Sequence, residues 1–215
     1  MKIRRFILAM GCIIYSLACF PENKGPDGKV DTSPNLKLSY NSSLIYPGGR
    51  LGIEFPVKSF ISTRMKKSGK EKELIKDRFI ALNLSWYHHP SFHDNLYLTA
   101  GWTMRRTRKS GFFTEFSPEM GVSRTFIGGT TYRVDDSGNV SLEKFAGYFY
   151  ALVSVGGGIG YDFSITHSKP IMVFYKLNLL SMYPYNSTIY LRPAMEIGLT
   201  WKLSGIHLTK KSRKT

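Results

Sequence analysis

Residues 189–203 alternate without a break. Ile189, Leu191, Pro193, Met195, Ile197, Leu199, Trp201 and Leu203 take one set of positions, and Tyr190, Arg192, Ala194, Glu196, Gly198, Thr200 and Lys202 the other. A period of two puts the first set on one face of a β-strand and the second on the opposite face. Strands of soluble domains typically run about 5–6 residues. A strand of roughly 10 residues or more, oily on one side only, is what a closed sheet needs to cross a bilayer.

The pattern recurs upstream. It is expected in seven further strands: 36–46, 50–61, 79–88, 95–105, 111–126, 147–163 and 170–181. In the third, Ile80, Leu82, Leu84 and Trp86 oppose Ala81, Asn83, Ser85 and Tyr87. In the sixth, Phe149, Ala151, Val153, Val155, Ile159 and Tyr161 oppose the small residues Ser154, Gly156, Gly158 and Gly160. Pro47-Gly48-Gly49 signals a turn, and polar segments 62–78 and 127–146 are expected to be loops. Eight strands with short links predict an all-β, antiparallel up-and-down transmembrane β-barrel. A soluble sandwich would instead bury the oily rows in a dry core and leave the charges in water. Pro56, Pro118 and Pro193 cannot donate to a ladder and are expected to mark bulges or strand ends.

The chain ends carry separate signals. Lys2, Arg4 and Arg5 precede an apolar run, 6–17, that is too short for a membrane helix, and Ser16-Leu17-Ala18 supplies small residues before a cut. Residues 1–18 thus read as an export signal, 19–35 as a flexible leader, 36–203 as the barrel and 204–215 as a basic tail. Cys19 would become the first mature residue, a position open to lipid attachment. Ala18 fits a lipobox, whereas Leu17 and Ser16 depart from it. With Cys12 removed in the signal, no internal disulfide can form.

If the oily rows face lipid, the other faces line a lumen. That set contains Glu54, Glu115, Glu119 and Glu196 with Arg105, Lys176, Arg192 and Lys202. An eight-stranded barrel has no room for an open aqueous pore, and buried charges persist when paired. The expectation is a plugged, ion-paired interior. The net charge of +15 falls to about +12 once the signal is removed. Basic residues gather at the end that holds the termini, among them Arg64, Lys66, Lys67, Lys70, Lys72, Lys76, Arg78, Arg105, Arg106, Arg108, Lys109 and Lys169. Anionic head groups would attract such a rim. Nucleic acid is not an expected partner, because an export signal and clustered charges without base-stacking motifs do not point to it.

One cluster offers chemistry: His88, His89, Ser91, His93 and Asp94. Histidine, serine and a carboxylate are the elements of nucleophilic hydrolysis. Ser91, His93 and Asp94 are therefore the weak catalytic candidates for a lipid-modifying hydrolase, although neighbours on one turn rarely assemble a triad. Gly156-Gly157-Gly158-Ile159-Gly160 lacks the Gly-Lys-Ser/Thr ending of a phosphate loop. Asp135 to Asn139 lacks the spacing of a calcium loop. No cofactor or metal is expected.

Tyr46-Pro47-Gly48 leading into Leu51-Gly52-Ile53-Glu54, Trp86-Tyr87-His88-His89, Ser110-Gly111-Phe112-Phe113 with Arg124-Thr125-Phe126, and Gly198-Leu199-Thr200-Trp201-Lys202-Leu203 carry a family likeness. With them the chain resembles the small outer-membrane β-barrel proteins of Gram-negative bacteria, and uncharacterised barrels of Bacteroidota in particular. The resemblance implies fold and location, with outer-membrane lipids around the wall and a structural, adhesive or complex-subunit role. It implies no activity. A periplasmic lipoprotein with a soluble β-domain, anchored through Cys19, is the other reading of the exported chain. Intact-mass measurement of the membrane-purified protein is expected to give a chain beginning at Cys19, and an added diacylglyceryl mass would mark lipidation.

Overall fold

The computed structural model describes residues 33–43, 46–65, 71–90, 92–185 and 188–203. The expected export signal, most of the expected leader with Cys19, the basic tail, Ser91 and Lys66, Lys67 and Lys70 lie outside the described residues. Eight strands close into a ring: β1 (Asn35–Ser42), β2 (Gly48–Met65), β3 (Glu71–His89), β4 (His93–Arg108), β5 (Phe112–Ile127), β8 (Phe149–Asp162), β9 (Ile171–Tyr185) and β10 (Thr188–Lys202). A short hairpin, β6 (Tyr132–Val134) and β7 (Val140–Leu142), is inserted between β5 and β8, and a one-turn helix, α1 (Phe163–His167), between β8 and β9. Every pair in the ring is antiparallel, and β1 closes it against β10 with Leu38 opposite Leu199.

The wall is inside-out relative to a soluble domain. Leu191 is 58% exposed, Leu199 45% and Trp201 48%, while Arg192, Glu196 and Thr200 on the alternate face are buried. The same holds around the ring, with Leu38, Leu84, Leu98, Val122, Val155 and Leu177 outside and Ser39, Ser85, Thr99, Ser123, Ser154 and Lys176 inside. Apolar side chains outside and polar ones within identify a transmembrane β-barrel, since only hydrocarbon makes that arrangement favourable. The sandwich alternative required the reverse. Exposed aromatics lie near both rims: Tyr40, Trp86, Phe149 and Tyr183 at the mouth opposite the termini, and Trp201 at the termini end. Aromatic rings at the two interfaces are the usual girdles of such walls.

Two segments expected as loops are built differently. Residues 62–78 do not separate two strands. β2 and β3 continue as one long hairpin, paired from Gly48↔Tyr87 to Met65↔Glu71. A bulge between Pro56 and Lys58 shifts the register, so the simple alternation of β2 stops there. That break disguised the hairpin in the sequence. Within 127–146, β6 and β7 pair through a turn in which the Asp135 carboxylate accepts from the N–H groups of Ser137 and Asn139. The Asn139 side-chain amide also donates to it, and this bond is the largest cause holding the carboxyl below its ordinary value. β1 ends at Ser42 rather than running to residue 46. Pro118 leaves no bulge: the β4–β5 ladder passes from Gly101↔Glu119 to Met104↔Phe116 without change of register. Pro193, likewise, keeps its register with Leu179 and lies beyond the last β1–β10 pair, Ser42↔Met195.

Leu177 faces outward near the middle of β9. Leu177→Arg is expected to cost about 2–4 kcal/mol, the range for a cation at the bilayer midplane. Denaturant unfolding in lipid vesicles measures it; a change near zero would mean that this face does not meet hydrocarbon.

Candidate functional site in the barrel lumen

Chain direction orders the lumen. β2 and β10 run from the mouth to the termini end, and β5 and β9 run back. Glu54 and Glu115 therefore sit nearer the termini than Arg50, Glu119 and Glu196. In the first layer, Arg105 Nη2 donates to Glu54 Oε1 at 2.9 Å and to Glu115 Oε2 at 2.7 Å. Lys176 Nζ lies 2.7 Å from Glu115 Oε1, and Lys37 Nζ lies 3.4 Å from Glu54 and 3.7 Å from Glu115. The Arg105 guanidinium also lies over the rings of Phe79 and Phe113, and Lys37 over Phe174. In the second layer, Arg50 donates through Nη2 to Glu119 at 3.1 Å, through Nη1 to Glu196 at 3.2 Å and through Nε to Ser85 at 2.8 Å. Thr99 donates to Glu119, and Ser39 and Asn178 donate to Glu196.

These layers hold four carboxylates and four cations, all buried. Two of the cations, Arg50 and Lys37, are absent from the set expected from the sequence. Lys37 alternates with Leu36 and Leu38, so its face was legible. Arg50 opens the expected strand 50–61, directly after the Gly48-Gly49 turn signal, and by parity it shares the inward face with Gly52 and Glu54. Arg105 belongs to the lumen and not also to the basic rim, because its backbone position on β4 points it inward between two glutamates. Lys202 stands lower, partly exposed, and donates to Asp162 at 2.5 Å. Asp162 also caps α1 by accepting from Ser164 N. Arg192 stands apart at the mouth, and no ion pair joins it to an acid among the described residues.

Small residues make room for this filling. A methyl group at Gly156 would run into Asn178 Oδ1 and come within 3.0 Å of Lys176 Cδ. Above the second layer, Tyr97, Tyr87, Leu152, Leu180 and Met182 form an apolar cluster, and below the first, Phe113, Met172 and Phe174 form another. The interior is thus stoppered at both levels.

The loop histidines divide between the two faces of the sheet. His88 Nδ1 lies 2.9 Å from Asp94 Oδ1 on the outer face, where both are half exposed. His93 instead packs inward, edge-on to Tyr87 with ring centroids 6.0 Å apart and stacked on His89 at 5.1 Å. Strand alternation therefore separates His93 from Asp94, and the geometry builds no relay between them. Among the described residues, no three His, Cys, Asp or Glu side chains are grouped to hold a metal ion.

No family model matches the chain, and no curated protein matches it. Among solved structures it is similar to Neisserial surface protein A, at 12% identity over 79% of this chain and 94% of that one, with a TM-score of 0.46. It is also similar to the N-terminal β-barrel domain of Pseudomonas aeruginosa OprF, at 15% identity over 79% and 98%, with a TM-score of 0.39. Neither likeness bears on activity.

Arg50→Met would leave Glu119 and Glu196 buried without their cation, at an expected cost of about 3–5 kcal/mol. Adding Glu119→Gln to the same chain leaves three carboxylates against three cations and is expected to recover most of that loss. Urea midpoints of the three proteins measure both effects.

Proposed function

We propose that the chain is an integral outer-membrane β-barrel without an open pore, acting in a structural, adhesive or complex-subunit role. One observation carries this reading: an apolar outer wall surrounds a lumen filled by side chains that neutralise one another. A conduit would need a continuous polar passage, and here two apolar clusters bracket the charged layers. The β6–β7 hairpin supports a contact role. It projects beyond the ring and exposes Tyr132, Val134, Val140 and Leu142, with Arg133 paired to Glu143 at 2.5 Å. Such apolar groups outside a membrane wall are what a protein partner would cover.

The described part of the termini end keeps Lys58, Lys76, Arg78, Arg106, Arg108, Lys109 and Lys169, against Glu73 and Asp77. Anionic head groups beside this rim would be held at roughly 1 kcal/mol per basic residue near the surface. The mature protein, refolded into vesicles, is expected to resist carbonate extraction and to shift its gel mobility on boiling. In planar bilayers it is expected to give no stepwise conductance. Regular conductance steps would overturn the closed-lumen reading, and complete release by carbonate would overturn the membrane reading.

A further inference from the structure

Arg192 occupies an unusual position for a buried cation. It is 3% exposed, and no acid pairs with it among the described residues. Its guanidinium carbon lies 3.4 Å from the centre of the Tyr87 ring and 5.7 Å from that of Tyr46. A guanidinium lying over a ring is held through its face, which leaves the N–H groups along its edge to find acceptors of their own. Nη2 reaches Ser43 Oγ at 3.5 Å, while Nε and Nη1 have no hydrogen-bond partner among the described residues. Two unsatisfied donors on a buried charge are costly unless something accepts from them.

A cavity of about 220 Å³ lies against this group, at the mouth opposite the termini. Tyr46, Tyr87 and Tyr190 line it together with His93, Asn95 and Arg192. Asn95 repeats the motif. Its Oδ1 accepts from Ser123 Oγ at 2.8 Å, and its buried Nδ2 is without a partner among the described residues. The site thus combines a planar cationic fork, a free amide donor and aromatic walls. That combination suits a planar or tetrahedral oxyanion with a compact apolar group behind it.

We propose that this mouth cavity binds a small oxyanion, a phosphate or carboxylate on a compact apolar group, with Arg192 as its anchor and Asn95 as a second donor. The oxyanion comes either from a free solute or from a lipid head group at the barrel rim. The site goes beyond the role proposed above and rests on it only in needing the folded barrel.

Phenyl phosphate is the probe, titrated calorimetrically into the mature barrel folded in zwitterionic detergent, with benzyl alcohol as the neutral control. Arg192→Met removes a cation that has no acid partner, so the variant is expected to keep the heat-dependent gel shift. Asn95→Asp is the second variant; it keeps the acceptor for Ser123 and sets a carboxylate against the ligand. Phenyl phosphate is expected to bind, benzyl alcohol to bind far more weakly, and each variant to lose at least about tenfold in affinity, the scale of a charge-assisted hydrogen bond. Displacement by short-chain phosphatidylglycerol, but not phosphatidylcholine, assigns the lipid source, and no displacement assigns a free solute. Either result supports the site. It is overturned if the heat-shifting wild type ignores phenyl phosphate, or if the folded variants bind it as well as the wild type does. A wild type that shows no heat shift would instead count against the barrel itself.

Discussion

Four carboxylates and four cations share the interior of this barrel, and their mutual neutrality is the condition that the rest of the structure satisfies. Lys37 comes from β1, Arg50 and Glu54 from β2, Arg105 from β4, Glu115 and Glu119 from β5, Lys176 from β9 and Glu196 from β10. Six of the eight ring strands are tied across the lumen by ion pairs rather than only edge to edge by ladders. Each charge in such a place costs several kcal/mol of desolvation unless its partners are well placed. The network therefore specifies register: sliding a strand by one residue would move its charge from the lumen to the lipid face.

The strands that bring no charge to these layers complete the arrangement. β8 presents Ser154, Gly156 and Gly158 where Lys176 and Asn178 need space, and β3 presents Ala81, Asn83 and Ser85 opposite Arg50 and Glu54. The aromatic and aliphatic clusters above and below the charged layers lower the local dielectric and strengthen the pairs they enclose. Lipid on the outer face and ion pairs on the inner face are complementary demands of one period-two pattern. A bilayer accepts the oily rows, and the opposite rows are then left to satisfy themselves.

The two ends differ in kind. At the termini end Lys202 and Asp162 close the rim beside α1. At the mouth, the strand-end histidines and tyrosines form a collar, Tyr46 on His89 at 4.2 Å and Tyr185 on Tyr190 at 4.8 Å. Arg192 stands in that collar without the compensation that its counterparts deeper in the lumen enjoy.

Alternation along the chain determined that the strands exist, which face of each is oily, and that the charged faces point to a common interior. It did so because side-chain direction in a strand depends on parity alone, a local property. Which charges meet was decided by strand order and stagger around the ring. Those brought Arg50 to Glu119 and Glu196, residues 69 and 146 positions away in sequence, and set Arg192 on an aromatic ring instead of an acid. The bulge after Pro56 and the pairing of 58–65 with 71–78 are likewise tertiary facts. One inserted residue reverses the parity on which any reading of a strand from sequence depends.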